Sequence, residues 1–198
     1  MSRNVNTLST KQGYLQWKAA SSALAECKVD TFALQETNVS WNKIHHQKIR
    51  QILRQPTGQV KIATSNSAEI STTSYQCGGT LQAVVGGWVS RAVDAGKDSS
   101  GLGRWSYIEL QGRDNKRFIV LSGYRVCENQ IIDMGSNNIF NQQYRLLHQT
   151  GSQNPDPRSQ FLDDLIKQIK SWRTQQKAVL ICIDANENSQ RTSTRGVA

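Results

Sequence analysis

The chain has 198 residues, 37% of them hydrophobic and 20% charged, with 24 Lys and Arg against 15 Asp and Glu for a formal net charge of +9. That length suits one domain with a sizeable core, and the apolar fraction, with only three prolines, excludes a disordered or linker-like chain. No run approaches the roughly 18 apolar residues of a spanning helix, and the opening MSRNVNTLSTKQG lacks the apolar stretch of a secretory signal. No membrane partner is expected, and the location expected is intracellular, nuclear or cytoplasmic.

In chain order, residues 12 to 28 predict a helix, with Trp17, Ala20, Ala23, Leu24 and Cys27 at helical spacing. Val29 to Gln35 predicts a buried strand. A second helix is expected over 41 to 54, with Trp41, Ile44, Lys48 and Ile52 sharing a face and Pro56 and Gly58 stopping it. Val60 to Ala63 forms a short strand. Thr80 to Arg91 and Arg104 to Leu110 predict strands separated by the turn-rich DAGKDSSGLG. Arg117 to Gly123 adds another, with Asp114-Asn115 marking a tight hairpin. Helices are expected over Asn138 to Gln149 and Asn154 to Gln175. In the second, Phe161, Leu162, Leu165, Ile166, Ile169 and Trp172 make one apolar stripe, with Pro155 near its start. Ala178 to Ile183 is a buried strand ending at Asp184, and the polar residues 188 to 198 predict a disordered tail after a single domain over 1 to 187. Helix–strand units at both ends around a β-rich middle predict α/β layers with mixed sheets.

From Asn38 to Ala68 there is no acidic residue, while Lys43, Lys48, Arg50, Arg54 and Lys61 are basic. A surplus of this kind favours polyanions, nucleic acid foremost, although a solvated helix face has the same pattern. The four cysteines contain no CxxC pair and form no zinc pattern, and Cys27 and Cys182 are expected to be small core residues. His45, His46 and His148 have no partner at ligand spacing. The glycines of CGGT, VVGGW and GLGR match neither a dinucleotide fingerprint nor a P-loop.

Three apolar strands end in polar clusters, where α/β folds place their sites. Glu36, in Leu34-Gln35-Glu36-Thr37, sets a carboxylate just past a buried strand, where it can hold a hard cation through oxygen. Asp184 and Asn186 pair a proton acceptor with an amide donor, a set that suits orientation of a water. After Ser122-Gly123, Tyr124 and Arg125 supply a hydroxyl and a charge that can contact a phosphate. Asn4-Val5-Asn6 is a fourth, weaker cluster.

Taken in order, these clusters resemble the endonuclease/exonuclease/phosphatase superfamily, and within it the endonuclease domains of non-LTR (LINE-type) retrotransposons. Asn4-Val5-Asn6 is similar to the opening N-x-[DN] motif, LQET to the LQE[ST] metal motif, Gly79-Thr80 to the glycine-led strand that follows, Ser122-Gly123-Tyr124 to the strand-end tyrosine motif, and Asp184-Ala185-Asn186 to the D-x-N motif. The resemblance implies a four-layer α/β sandwich, two β sheets face to face with helices outside, and Mg²⁺-dependent phosphodiester hydrolysis, Mn²⁺ being an alternative ion, on DNA. It implies Glu36 as principal metal ligand with Asn6, Asn4 supporting the site, Tyr124 on the scissile phosphate, Asp184 positioning or deprotonating the water, and Asn186 donating to the phosphate. Two departures stand out. Cys127 occupies a position where the family often has Asn, and the 14 residues after Asp184 contain no histidine to match the family's terminal Asp-His motif. The chain is accordingly expected to be a fragment or decayed copy of a retroelement reading frame with an incomplete site. A non-catalytic nucleic-acid-binding remnant and a small-molecule phosphatase of the same superfamily are the competing expectations.

Overall fold

The computed structural model describes residues 1–8, 14–44, 46–128 and 138–187. The 188–198 tail and His45 lie outside the described residues. The elements are β1 (Ser2–Asn4), α1 (Leu15–Glu26), β2 (Thr31–Gln35), α2 (His46–Thr57), β3 (Val60–Ser65), β4 (Thr80–Val85), β5 (Ala92–Lys97), β6 (Trp105–Gln111), β7 (Arg117–Tyr124), α3 (Ile139–Gln149), α4 (Pro157–Thr174) and β8 (Ala178–Asp184).

The strands form two four-stranded mixed sheets, ordered β1-β2-β4-β3 and β5-β6-β7-β8. In each, one pair is parallel (β1 with β2, β7 with β8) and the others are antiparallel. Strand alternation divides the side chains between two faces. Phe32, Leu34, Leu81, Ala83 and Val85 join Trp17, Leu24, Ile49, Ile52 and Leu53 of α1 and α2 in one core. Ala63 and Val84 meet Ile108, Leu110 and Val120 between the sheets. On the far face of the second sheet Trp105, Ile119 and Leu121 pack against Phe161, Leu165 and Trp172 of α4. The layers run helices, sheet, sheet, helix: the expected α/β sandwich. Among the described residues no helix is long and apolar enough to cross a membrane.

Several local expectations are corrected. The strand expected to reach Arg91 ends at Val85, where Gly86–Arg91 winds into a 3₁₀ turn, and β5 then occupies the Asp94–Lys97 stretch expected as a turn. This strand is at the sheet edge and half exposed, so it carries little apolar signal, and Gly96 is needed because a Cβ there would lie 2.5 Å from Cζ of Tyr107. Helix α2 runs through Pro56 and ends at Thr57, just before Gly58, whose N–H donates to the carbonyl of Arg54 at φ +78°. Proline tolerates this place because the carbonyl its missing N–H would have served, that of Ile52, accepts instead from the Ser21 hydroxyl of α1 at 3.1 Å. The buried side chains of α2 are Ile49, Ile52 and Leu53, while Lys48 is exposed. On α4, which begins at Pro157, the core stripe is narrower than expected: Leu162 and Ile166 are exposed. Strand β8 is the edge of its sheet, so Leu180, Ile181 and Ile183 are partly exposed. Cys27 caps α1 and is exposed, and Cys182 is half-buried, so neither is a core residue.

One buried ion pair locks the second sheet to α4. Arg104 donates Nε and Nη2 to Asp98 at 2.6 and 3.2 Å, both side chains 1% exposed, and Nη1 to Asp164 of α4 at 2.9 Å. Burial alone would raise the Asp98 carboxyl, but the hydrogen bonds and charge of Arg104, with Ser100, outweigh it and hold the group below its ordinary range. A depressed native pKa stabilises above the unfolded-state value near ~4, and that stability is lost as pH falls through the native value. Asp98→Asn is therefore expected to cost about 3 kcal/mol in urea unfolding at neutral pH, with the deficit shrinking below about pH 4. A deficit of equal size at both pH values would contradict this.

Candidate active site

The ends of four strands meet at one edge of the sandwich. Asn4 pairs with Gln35 at the C-terminal ends of β1 and β2, and Tyr124 pairs with Asp184 at the ends of β7 and β8. Beneath them the two sheets are joined by buried polar side chains. Gln35, 1% exposed, donates Nε2 to the hydroxyls of Ser122 (3.1 Å) and Ser2 (3.2 Å), and the Ser122 hydroxyl donates to the carbonyl of Leu34 at 3.1 Å. A buried amide so fully paired rigidifies the junction. It fixes the height of one sheet against the other directly below the cluster.

Chain direction changes abruptly above this floor. Asn6, Glu36 and Asn186 all adopt left-handed backbone, with φ of 41°, 55° and 48°. For Glu36 this conformation is costly, and such strain concentrates at functional sites. The loop after Glu36 is held by Gly78-Gly79: their carbonyls accept from Asn38 (2.8 Å) and Thr37 (3.3 Å), and the Gly78 N–H donates to Asn38 Oδ1 at 2.6 Å. Gly79 has φ +84°, and a Cβ there would stand 2.9 Å from the carbonyl of Ser65. Glycine is required at that close approach.

The side chains converge on two carboxylates from different sheets. Asn4 Nδ2 donates to Glu36 Oε2 at 2.8 Å and to Asp184 Oδ2 at 2.6 Å. The Tyr124 hydroxyl donates to the other Glu36 oxygen, Oε1, at 2.7 Å. Asp184 Oδ1 accepts from the backbone N–H of Asn186 at 3.2 Å. Burial first, then the hydrogen bond and charge of Glu36, push the Tyr124 phenol far above its ordinary range, so it is a donor, never a base. Of the residues singled out in sequence, Asn4, Glu36, Tyr124 and Asp184 meet through their side chains, and Asn186 joins through its backbone N–H. Asn6 joins through its backbone N–H, which donates to Asn4 Oδ1 at 2.9 Å. The Asn186 amide is turned aside, donating Nδ2 to the carbonyl of Arg125 at 2.6 Å.

Sequence reasoning missed the floor residue Gln35, although it stands within the LQET run, and it missed Arg158 and Glu187 beside the cluster. Glu187 contacts both Arg125 and Arg158. No sequence spacing links Arg158 to the site; only the start of α4 brings it there. The basic residues Lys48, Arg50 and Arg54 lie exposed on the outer layer, on α2. His148 stacks on Tyr144 in the last turn of α3. Burial pushes the Cys77 thiol up to about 11, which leaves it protonated at neutral pH.

Oxygen-donor chemistry suits this cluster. Glu36 keeps one lone pair on each oxygen after its two hydrogen bonds, and Glu36, Asn6 and Asp184 are all hard ligands. Among the described residues no three His, Cys, Asp or Glu side chains converge as a ready cage. A direct check of the electrostatics is phenol titration: Tyr124→Phe should leave the phenolate absorbance up to about pH 11 unchanged, since Tyr124 stays protonated there. Loss of one tyrosine's worth of signal below that pH would contradict the hydrogen bond to Glu36.

No protein-family model and no curated protein matches the chain. Solved structures do. An endonuclease/exonuclease/phosphatase family protein from Leptotrichia buccalis C-1013-b is similar at 14% identity over 77% of this chain and 63% of its own, with a TM-score of 0.41. The human Nocturnin catalytic domain, a structure with bound sulfate anion, matches at 10% identity over 95% of this chain and 63% of its own, with a TM-score of 0.54. An endonuclease/exonuclease/phosphatase from Beutenbergia cavernae DSM 12333 matches at 10% identity over 74% of this chain and 41% of its own, with a TM-score of 0.40. The chain thus spans less than two thirds of the length of these structures, and its structural neighbours include endonuclease/exonuclease/phosphatase proteins at low identity, a likeness of fold alone.

Proposed function

We propose that the chain is a metal-dependent phosphodiester-hydrolysing domain of the endonuclease type, of retrotransposon origin, directed at nucleic acid with DNA as its first substrate, and short of a complete acid–base set. The observation that supports this reading best is the pair of carboxylates, Glu36 and Asp184, held by the one amide of Asn4 with the Tyr124 phenol on Glu36. Glu36, with Asn6, would hold Mg²⁺ or Mn²⁺, which supplies Lewis acidity to the phosphoryl oxygens when bound. Asn4 keeps the two carboxylates apart and oriented. Asp184 accepts a proton from, or orients, the attacking water. Tyr124, whose single hydroxyl proton is held by Glu36 Oε1, would turn it to a non-bridging phosphate oxygen when the cation takes Glu36, and the second Nδ2 proton of Asn186 is available to another. Such positioned donors are the main lever for charge that develops in a phosphoryl transition state.

The partners of Glu36 and Asp184 among the described residues are amides and a phenol, with no imidazole among them. Lack of one preorganised donor costs on the order of 10²- to 10³-fold in rate. Relaxation of supercoiled plasmid with Mg²⁺ is therefore expected to be slow or undetectable. Robust nicking that vanishes in Asp184→Ala would overturn the incomplete set. Calorimetric titration with Mn²⁺ tests the metal site separately: wild type should bind, and Glu36→Gln should bind at least about tenfold more weakly, as loss of a carboxylate ligand implies. Equal affinity in both proteins would remove Glu36 from the site and favour the second reading, a nucleic-acid-binding remnant, which the +9 charge also supports.

Binding to duplex DNA should be electrostatic. Log K is expected to fall with log salt by about 0.9 per phosphate neutralised. A flat plot would assign the charge to solubility alone.

A further inference from the structure

Beside the carboxylate cluster two arginines converge on one acid. Arg125 Nη1 and Arg158 Nη2 both meet Glu187 Oε1, the latter at 3.1 Å. The arginine side chains are 11% and 12% exposed, and Glu187 is 60% exposed. Backbone carbonyls hold the guanidinium groups in place: Arg125 Nε donates to the carbonyl of Arg158 at 3.2 Å, Arg158 Nη1 donates to that of Val126, and Arg158 Nη2 to that of Asn186 at 3.3 Å. The fork is preformed, and the carboxylate that meets both arginines, Glu187, is solvent-exposed.

This arrangement opposes stability on its own. Arg158 is the second residue of α4, where the helix dipole disfavours a cation. Burial, then the charge of Arg158, press the Arg125 guanidinium below its ordinary range, with Asp156 and Glu128 partly offsetting them. Two half-buried like charges side by side favour an anion between them, and bidentate arginines match the geometry of phosphate as well as that of carboxylate.

The fork is continuous with the candidate site through Asn186. That residue gives its N–H to Asp184, its Nδ2 to the Arg125 carbonyl, and its own carbonyl to Arg158. Arg125 follows Tyr124 directly and gives its backbone N–H to the carbonyl of Asp184 at 2.9 Å. We infer that Arg125 and Arg158 form a second phosphate subsite, for a backbone phosphate of the nucleic-acid strand next to the one at Tyr124, and that Glu187 occupies this subsite as a stand-in anion displaced when the strand binds. The inference rests on the proposed function for the identity of the strand. It adds a binding subsite and an acidic gate to it.

Fluorescence anisotropy of a labelled DNA duplex, in EDTA so that no hydrolysis occurs, tests this without the metal site. Glu187→Gln removes the competing carboxylate and should tighten binding about 3- to 5-fold, the scale of a partly exposed charge pair. Asp163→Asn, the same charge change at an exposed position of α4, should change affinity by less than about 1.5-fold, as expected for a screened surface charge. Arg158→Gln should weaken binding and lower the salt slope by about 1. In that background the gain from Glu187→Gln should fall below about 2-fold, since coupled residues are not additive. Tightening in Asp163→Asn equal to that in Glu187→Gln would overturn the gate, as would no tightening in Glu187→Gln. Failure of the hydrolase reading appears elsewhere, as Mn²⁺ binding indifferent to Glu36→Gln, and leaves these titrations interpretable.

Discussion

One side-chain amide bears on two carboxylates that belong to different sheets. Asn4 stands at the end of a three-residue strand, Glu36 follows β2 and Asp184 ends β8, so the cluster exists only where the two sheets are held in register. Glu36 and Asp184 both reach the one donor Asn4 Nδ2, at 2.8 and 2.6 Å, and its positive amide end offsets the repulsion between like charges. Everything beneath serves the alignment. Gln35 and Ser122 bolt β2 to β7, Thr80 and Ser106 pair hydroxyls at 3.0 Å across the same interface, and Arg104 ties the second sheet to α4.

The polar interface between the sheets has a physical consequence. A sandwich core is ordinarily apolar, and a half-satisfied buried amide would cost more than an apolar one. The pairs Gln35–Ser122 and Thr80–Ser106 lie toward the site edge, Ala63, Val84, Ile108, Leu110 and Val120 form an apolar core between the sheets, and the buried Gln82 amide donates to the Thr31 hydroxyl at 2.8 Å beside it. At the site edge the interface is a hydrogen-bonded platform, and the platform carries the strained turns of Glu36 and Asn186. Rigid support under strained positions is the general condition for holding side chains where chemistry needs them.

Much of this was legible in the sequence, for reasons particular to each element. Short apolar runs ending in LQET, SGY and DAN announce buried strands with polar tips, and those tips do meet. The helix over α4 was legible from its periodicity. What failed was what depends on position in the sheet. Strand β5 lacks alternation because an edge strand half exposed to water needs none, and Leu162, Ile166 and Cys27 are apolar without being buried because no layer covers them. Pro56 stays within α2 only because Ser21, thirty-five residues away, takes the orphaned carbonyl. The Arg125–Arg158–Glu187 fork was illegible for the same reason: its members come from three separate stretches, and only the closed fold sets them side by side.

The shared amide is the most direct point of attack on the whole account. In a ¹⁵N–¹H spectrum of metal-free protein the two Nδ2 protons of Asn4 are expected to be distinct, each directed at a different carboxylate. Glu36→Gln should move chiefly one of these proton resonances, and Asp184→Asn chiefly the other. If either variant leaves both resonances in place, Asn4 does not bridge the two sheets and the site is not assembled as described.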